Sequence, residues 1–180
     1  MRFTAGTTDL LPSYADLLRL AVQLQLVPAQ QAKKINRTVL DKDARRVLAS
    51  AVELREALAA IFYAWVDERK PPARQVELLE RQFHAAAAHR HLHAGARSLQ
   101  WNWAAADQAA DLPLWMLAQS AADLLVSRDA HLVKDCGDPT CRWLFLDLSK
   151  NHTRRWCDMK ICGNRMKARR HQARLEETPL

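Results

Sequence analysis

Cys136-Gly-Asp-Pro-Thr-Cys141, then fifteen residues, then Cys157-Asp-Met-Lys-Ile-Cys162: the fold of this 180-residue chain turns on that stretch. It contains all 4 cysteines, in two pairs of equal spacing. Zn²⁺ prefers four tetrahedral ligands, and two close thiol pairs joined by a short loop each supply one edge of the tetrahedron. Gly137 and Pro139 let the first pair turn its sulfurs back onto one ion. Two disulfides are the alternative. They require an oxidising compartment, and Met1-Arg-Phe-Thr-Ala-Gly6 lacks the apolar run of a secretory signal. The expectation is one structural Zn²⁺ on Cys136, Cys141, Cys157 and Cys162, in a cytoplasmic protein. Four thiolates leave no open position for water, which argues against a zinc hydrolase.

Charge follows the cysteines. The chain carries a formal +7, of which residues 131–180 hold 11 Lys+Arg against 6 Asp+Glu. Between Arg142 and Arg174 there are 10 basic and 2 acidic residues. Four zinc-bound thiolates leave the site at −2, so some of these cations serve the sulfurs. The surplus points to a polyanion partner. No apolar run is long enough to cross a bilayer, so no membrane partner is expected.

Upstream, the periodicity is helical. Tyr14, Leu17, Leu18, Ala21 and Leu24 form one stripe after Pro12-Ser13, and Pro28 separates a short second helix over Ala29 to about Arg37. From Asp43 to Arg69, Val47, Ala51, Leu54, Leu58, Ile61 and Trp65 recur at steps of four and three. Asp41 or Asp43 is the expected cap, and Pro71-Pro72 the stop. This seam is read as packing within one domain; it leaves homodimerisation through a coiled coil open. A fourth helix, from about Ala73 to His89, buries Val76, Leu79, Phe83 and Ala86. The period then becomes two, with His89, His91 and His93 before Gly95 and Leu99, Trp101 and Trp103 after it, which predicts a hairpin. His91 and His93 are read as a solvated face rather than a metal site. Trp101 and Trp103 are strand-face aromatics that could line a ligand pocket. Pro113 opens a further helix with Leu114, Leu117, Ala121, Leu124 and Leu125 inward. No phosphate loop, GxSxG, HExxH or paired-carboxylate signature is present, and no catalytic residue is assigned.

The cysteine module reads as a strand over Arg142–Asp147, a turn at Ser149-Lys-Asn151 and a returning strand over Thr153–Trp156, with a cysteine pair at each end. His131 to Lys134 leads in as a short strand. Trp143 and Trp156 are placed as shelter for the thiolates, in preference to base stacking. From Asp158, a plausible cap, to Arg174 the chain reads helical, with a kink or late start at Gly163. Lys160, Lys167, Arg170, His171 and Arg174 share one face, and Cys162, Met166 and Ala173 share another, facing the metal and hairpin. Asn164 and Arg165 carry groups suited to adenine and guanine edges, while Arg154, Arg155 and Arg169 add phosphate-binding charge. Arg165 could equally answer a thiolate. The fold class is therefore mainly α with a small β-hairpin (α+β): a helical domain over 1–130 with a hairpin near 90–104, and a zinc module of hairpin and basic helix over 131–180.

Cys162-Gly163-Asn164-Arg165 after Trp156-Cys157-Asp158, with Trp143-Leu-Phe-Leu-Asp147 and Lys167-Ala-Arg-Arg-His171, resembles the CGNR zinc finger. Ser13-Tyr14-Ala15-Asp16-Leu17, Leu54-Arg-Glu-Ala-Leu58, Trp101-x-Trp103 and Pro113-Leu-Trp115 resemble the domain that accompanies it in stress-induced bacterial transcription regulators. The resemblance covers nearly the whole chain, and the finger is its specific part. It implies a zinc-dependent DNA-binding C-terminus and an N-terminal domain that senses a small-molecule effector. One departure is the short strand and Asn-Thr pair of family members, which this chain lacks before Thr7; truncation or divergence there is expected. The partner expected is double-stranded DNA. An RNA-associated zinc module, or a small-molecule or protein-interaction sensor with a purely structural zinc, are the competing readings.

Overall fold

The computed structural model describes residues 9–104 and 108–176. The readings of Met1–Gly6 and of the residues before Thr7 lie outside them. Six helices and two antiparallel hairpins follow in the order α1 (Tyr14–Gln23), α2 (Ala29–Thr38), α3 (Asp41–Val66), α4 (Ala73–Ala87), β1 (Arg90–Ala94), β2 (Leu99–Trp103), α5 (Leu112–Val126), β3 (Val133–Asp135), β4 (Leu144–Leu146) and α6 (Asn164–Glu176). The mainly helical α+β expectation holds.

Ser13 caps α1, its hydroxyl accepting from the Asp16 amide at 3.3 Å and donating to the Asp16 carboxylate at 2.5 Å. This reciprocal pairing satisfies an otherwise orphaned amide of the first turn. The expected cap of α3 is different. Leu40 precedes the helix without a side-chain hydrogen bond, and Asp41 and Asp43 lie inside its first turn, where their charge complements the helix dipole. The helix also ends before the prolines. Glu68 takes the left-handed φ of 54°, and the Arg69 amide returns to the Ala64 carbonyl at 2.6 Å. Pro113 falls in the first turn of α5, as its missing N–H allows.

The core gathers on α3. Leu17, Leu18, Ala21, Ile35, Leu79, Ala86, Leu112, Leu114 and Ala118 are buried with the α3 stripe of Val47, Ala51, Leu54 and Ile61. That stripe is consumed within the chain, so it provides no coiled-coil seam. Three stripe residues depart from expectation. Leu24 is 52% exposed because α1 has ended, Val76 is exposed on α4, and Trp65 is 40% exposed at the end of α3. Conversely, Ala59, Phe62 and Ala64 are buried although they lie off the stripe. α3 is covered on a second side, where it packs against β3.

The β1–β2 hairpin forms with His91 opposite Asn102, Leu92 opposite Trp101 and His93 opposite Gln100. His89 and Trp103 both stack on Trp115 of α5, with ring centroids 3.9 and 6.2 Å away, and this ties the hairpin to the core. Trp101 is 56% exposed with the Arg90 guanidinium 4.4 Å over its ring. Leu17→Ala is expected to cost about 2–5 kcal/mol, read from the urea midpoint, because it empties a fully buried site. Leu24→Ala should stay within about 0.5 kcal/mol.

Candidate metal centre and nucleic-acid interface

The first cysteine pair sits in the turn between β3 and β4. The two strands pair antiparallel, with Val133 opposite Leu146 and Asp135 opposite Leu144. The Cys136 amide donates to the Trp143 carbonyl at 2.8 Å, and the Cys141 amide to the Asp138 carbonyl at 2.9 Å. Arg142, at a left-handed φ of 51°, then reverses the chain. This corrects the strand pairing read from the sequence, in which 142–147 paired with 153–156. The segment Thr153–Trp156 is not a strand, because its groups are taken elsewhere. The Arg154 amide donates to the Asp147 carboxylate at 3.0 Å, and the Arg155 carbonyl accepts from the Gly137 amide at 2.9 Å.

The second pair sits on a helical start. Asp158 caps a five-residue π-helical turn (Met159–Gly163), its carboxylate accepting from the Ile161 amide at 2.9 Å, and α6 follows from Asn164. Gly163 marks the change of pitch, as its poor helix propensity suggests. A Cβ there would meet Met159 Sδ at 2.5 Å and Trp156 Cδ1 at 3.2 Å. A Cβ on Gly137 would meet the same indole at 3.1 Å. The Trp156 ring is thus held between the two glycines that adjoin ligand cysteines.

All four sulfurs lie within 4.8 Å of one another, with Cys141–Cys157 at 3.6 Å and Cys157–Cys162 at 3.7 Å. Those distances exclude disulfide bonds, whose sulfurs lie about 2.05 Å apart. They match the edge of about 3.8 Å that a tetrahedral ZnS₄ centre with Zn–S of about 2.3 Å requires. Cys136 and Cys162 are buried. Burial and then the neighbouring thiols push the Cys157 thiol well above its ordinary range, so the cluster needs a cation to become four thiolates. The residues present fit one structural Zn²⁺. Among the described residues, this is the one group of three or more ligating side chains close together, and His91 and His93 recruit no third ligand.

Two buried aspartates hold the surroundings. Asp138 accepts from the Thr140 amide and hydroxyl at 3.0 and 2.8 Å, from Arg165 Nε at 2.6 Å and from Arg169 Nη1 at 3.3 Å. Burial alone would raise its carboxyl, but the Thr140 and Arg165 hydrogen bonds outweigh it and hold Asp138 ionised. Arg165 also donates to Cys162 Sγ at 3.3 Å. Asp147 accepts from Lys134 Nζ at 2.7 Å and from the Ser149 hydroxyl at 2.6 Å, which hold its carboxyl far below the usual range.

These observations place the expected nucleic-acid residues in two groups. Arg165 and Arg169 turn inward to Asp138, and Arg154 donates to the Trp156 and Cys157 carbonyls beside the zinc site. Lys160, Asn164, Lys167, Arg170, His171 and Arg174 are exposed. From Lys167 to Leu175 every residue of α6 is exposed, including Ala173, which was expected to face the hairpin. Past Met166 no residue up to Leu175 is buried, although Arg169 still reaches back to Asp138. Trp156 is at the metal site, whereas Trp143 lines a cavity of about 540 Å³ with Leu20, Ala59, Tyr63 and Cys141. The expected pocket residues Trp101 and Trp103 serve the hairpin, and the two cavities bordering the finger are lined by others. Asp138 and Asp147 were not singled out from the sequence, although Asp138-Pro-Thr140 and Asp147-Leu-Ser149 carry the Asx-turn pattern.

Residues 133–175 match the CGNR zinc finger, so the geometry and the sequence define the same class of zinc-finger protein. Residues 2–128 match the ABATE family, described as "Putative stress-induced transcription regulator", and the chain belongs to that family. No curated protein matches the chain. No helix of the described residues is long and apolar enough to cross a membrane.

Two outcomes are expected. The purified protein should release one zinc per chain to a colorimetric chelator, with loss of structure confined to the finger while the far-ultraviolet signal of α1–α5 persists. Asp138→Asn should retain the four thiolates yet weaken zinc affinity about 10–100-fold in competition titrations, the usual effect of removing a group that orients ligands.

Proposed function

We propose that the protein is a zinc-dependent DNA-binding transcription regulator, with α6 contacting double-stranded DNA. The observation that carries this reading is the exposure of α6 from Lys167 to Leu175, with Lys167, Arg170, His171 and Arg174 presented to solvent. Arg165 and Arg169 anchor the root of that helix to Asp138, 27 and 31 residues earlier. A helix so short gains little from propensity alone, and its buried packing ends at Met166. Phosphates along a duplex would meet this exposed basic face. Asn164, at the first position of α6, is the side chain suited to a base edge.

The division of labour follows. Lys160, Lys167, Arg170, His171 and Arg174 bind the backbone, whereas Arg155 lies over Trp156 on the side of α3. Arg165, Arg169 and Arg154 position the helix through the zinc site. Residues 1–130 form the regulatory part and 131–180 the reader, in a cytoplasmic protein. Trp156 lies between two glycines with the Arg155 guanidinium 5.4 Å over its ring, so it offers no open face to single-stranded RNA, whereas Trp143 is exposed and is the ring on which an RNA base would stack.

Salt dependence tests this. Neutralising five or six phosphates predicts a slope of log K against log [salt] of roughly −5, and Arg170→Ala should reduce it by about one. Fluorescence anisotropy with a random-sequence duplex measures both. Binding that ignores salt or survives chelation overturns the reading, and preference for single-stranded RNA in competition replaces it.

A further inference from the structure

Between the C-terminal end of α3 and the finger lies a groove of about 740 Å³, within the range of about 300–1,000 Å³ typical of small-molecule sites. One wall is aromatic: Phe62 and Trp65 pack edge to face at 5.6 Å, and the Trp65 ring remains partly open. The other wall carries His131, Lys134, Arg154 and Arg155. Their charges are not equally compensated. Lys134 is neutralised by Asp147 at 2.7 Å, and Asp135, the acidic residue of the lining, by Arg142 at 3.1 Å. Among the described residues the Arg154 guanidinium donates to carbonyl oxygens, those of Trp156 and Cys157, and lies 4.9 Å over the Phe145 ring. Among the described residues no carboxylate pairs with Arg155, which lies over Trp156. Among the described residues neither guanidinium pairs with a carboxylate, and both line the groove whose other wall is aromatic.

We propose that this groove binds a small aromatic anion, a phosphate or carboxylate on a planar ring system of up to mononucleotide size. The ring would stack on Trp65 and the anion would meet Arg154 and Arg155, whose forked donors suit both oxyanions. A neutral apolar molecule would leave the guanidiniums unmatched, and an inorganic anion would leave the aromatic wall unused. Arg154 is already immobilised by the Trp156 and Cys157 carbonyls, so little ordering opposes binding.

The groove joins two parts of the molecule. Its aromatic wall belongs to α3 and its cationic wall to the segment that ends at the zinc ligand Cys157. An occupant therefore clamps the finger to the helical part, and linkage requires it to alter DNA affinity by the factor by which DNA alters its own. That coupling rests on the DNA-binding reading; the binding site does not.

The test is calorimetric titration of the zinc-loaded full chain, without DNA, using AMP, salicylate, adenosine and inorganic phosphate in parallel. Saturable binding of AMP or salicylate is expected, and which of them binds identifies the anion. Adenosine and phosphate should each bind at least tenfold more weakly. Trp65→Leu and Arg155→Gln should each lower affinity about tenfold, with zinc content and Tm unchanged. The proposal is overturned if neither AMP nor salicylate binds at millimolar concentration, if adenosine binds as well as AMP, or if both variants bind like the wild type. A parallel DNA titration separates the two readings: ligand binding without DNA binding removes the DNA assignment and leaves the groove, and the converse does the opposite.

Discussion

The zinc finger has almost no hydrophobic core. Its buried side chains after Val133 are two cysteines and two aspartates, Cys136, Cys162, Asp138 and Asp147, with Gly163 between the metal and the helix. A segment of this size cannot offset its conformational entropy by apolar burial, so the metal supplies the free energy that a core would. Each buried carboxylate is then matched by a cation, Asp138 by Arg165 and Arg169, and Asp147 by Lys134. Buried charges persist only when paired and hydrogen-bonded, and both aspartates are saturated by donors. The basic character of the finger is therefore divided between internal neutralisation and an outward surplus.

α3 is the wall shared by both halves of the chain. One side holds the stripe that closes the helical core, and the other holds β3 and the turn after Cys141. Tyr63 donates its hydroxyl to the Arg142 carbonyl at 2.5 Å, while the Arg142 guanidinium reaches Asp67 at 3.6 Å and Asp135 at 3.1 Å. The residue that reverses the chain behind a zinc ligand is thus the one that grips the end of α3. Arg142 ties the finger to the end of α3 by a hydrogen bond and an ion pair.

The helical part was legible because its apolar spacing repeats over many turns, and Val47, Ala51, Leu54 and Ile61 lie where that spacing puts them. The metal site was legible because four thiols at fixed intervals suit few other purposes. What could not be read was pairing between distant residues. Asp138 meets Arg165 and Arg169 across the finger, and nothing local marks the match. The wrong hairpin shows the same limit. Thr153–Trp156 has the composition of a strand, yet the Arg154 amide goes to a buried carboxylate and the Arg155 carbonyl to the first cysteine turn. Ala59, Phe62 and Ala64 looked peripheral because periodicity describes one face, while α3 packs on two.

The outer surface of α6 makes few commitments to the rest of the molecule. Substitutions at Lys167, Arg170 or His171 alter no buried contact, so they leave folding and metal retention nearly untouched. Scaffold and surface are here assigned to separate residues: Asp138, Arg165 and the glycines keep the scaffold, while the exposed outer face of α6 takes no part in it. The exposed face of such a helix can therefore change in sequence by substitutions that selection for stability does not see, without first gaining stabilising mutations.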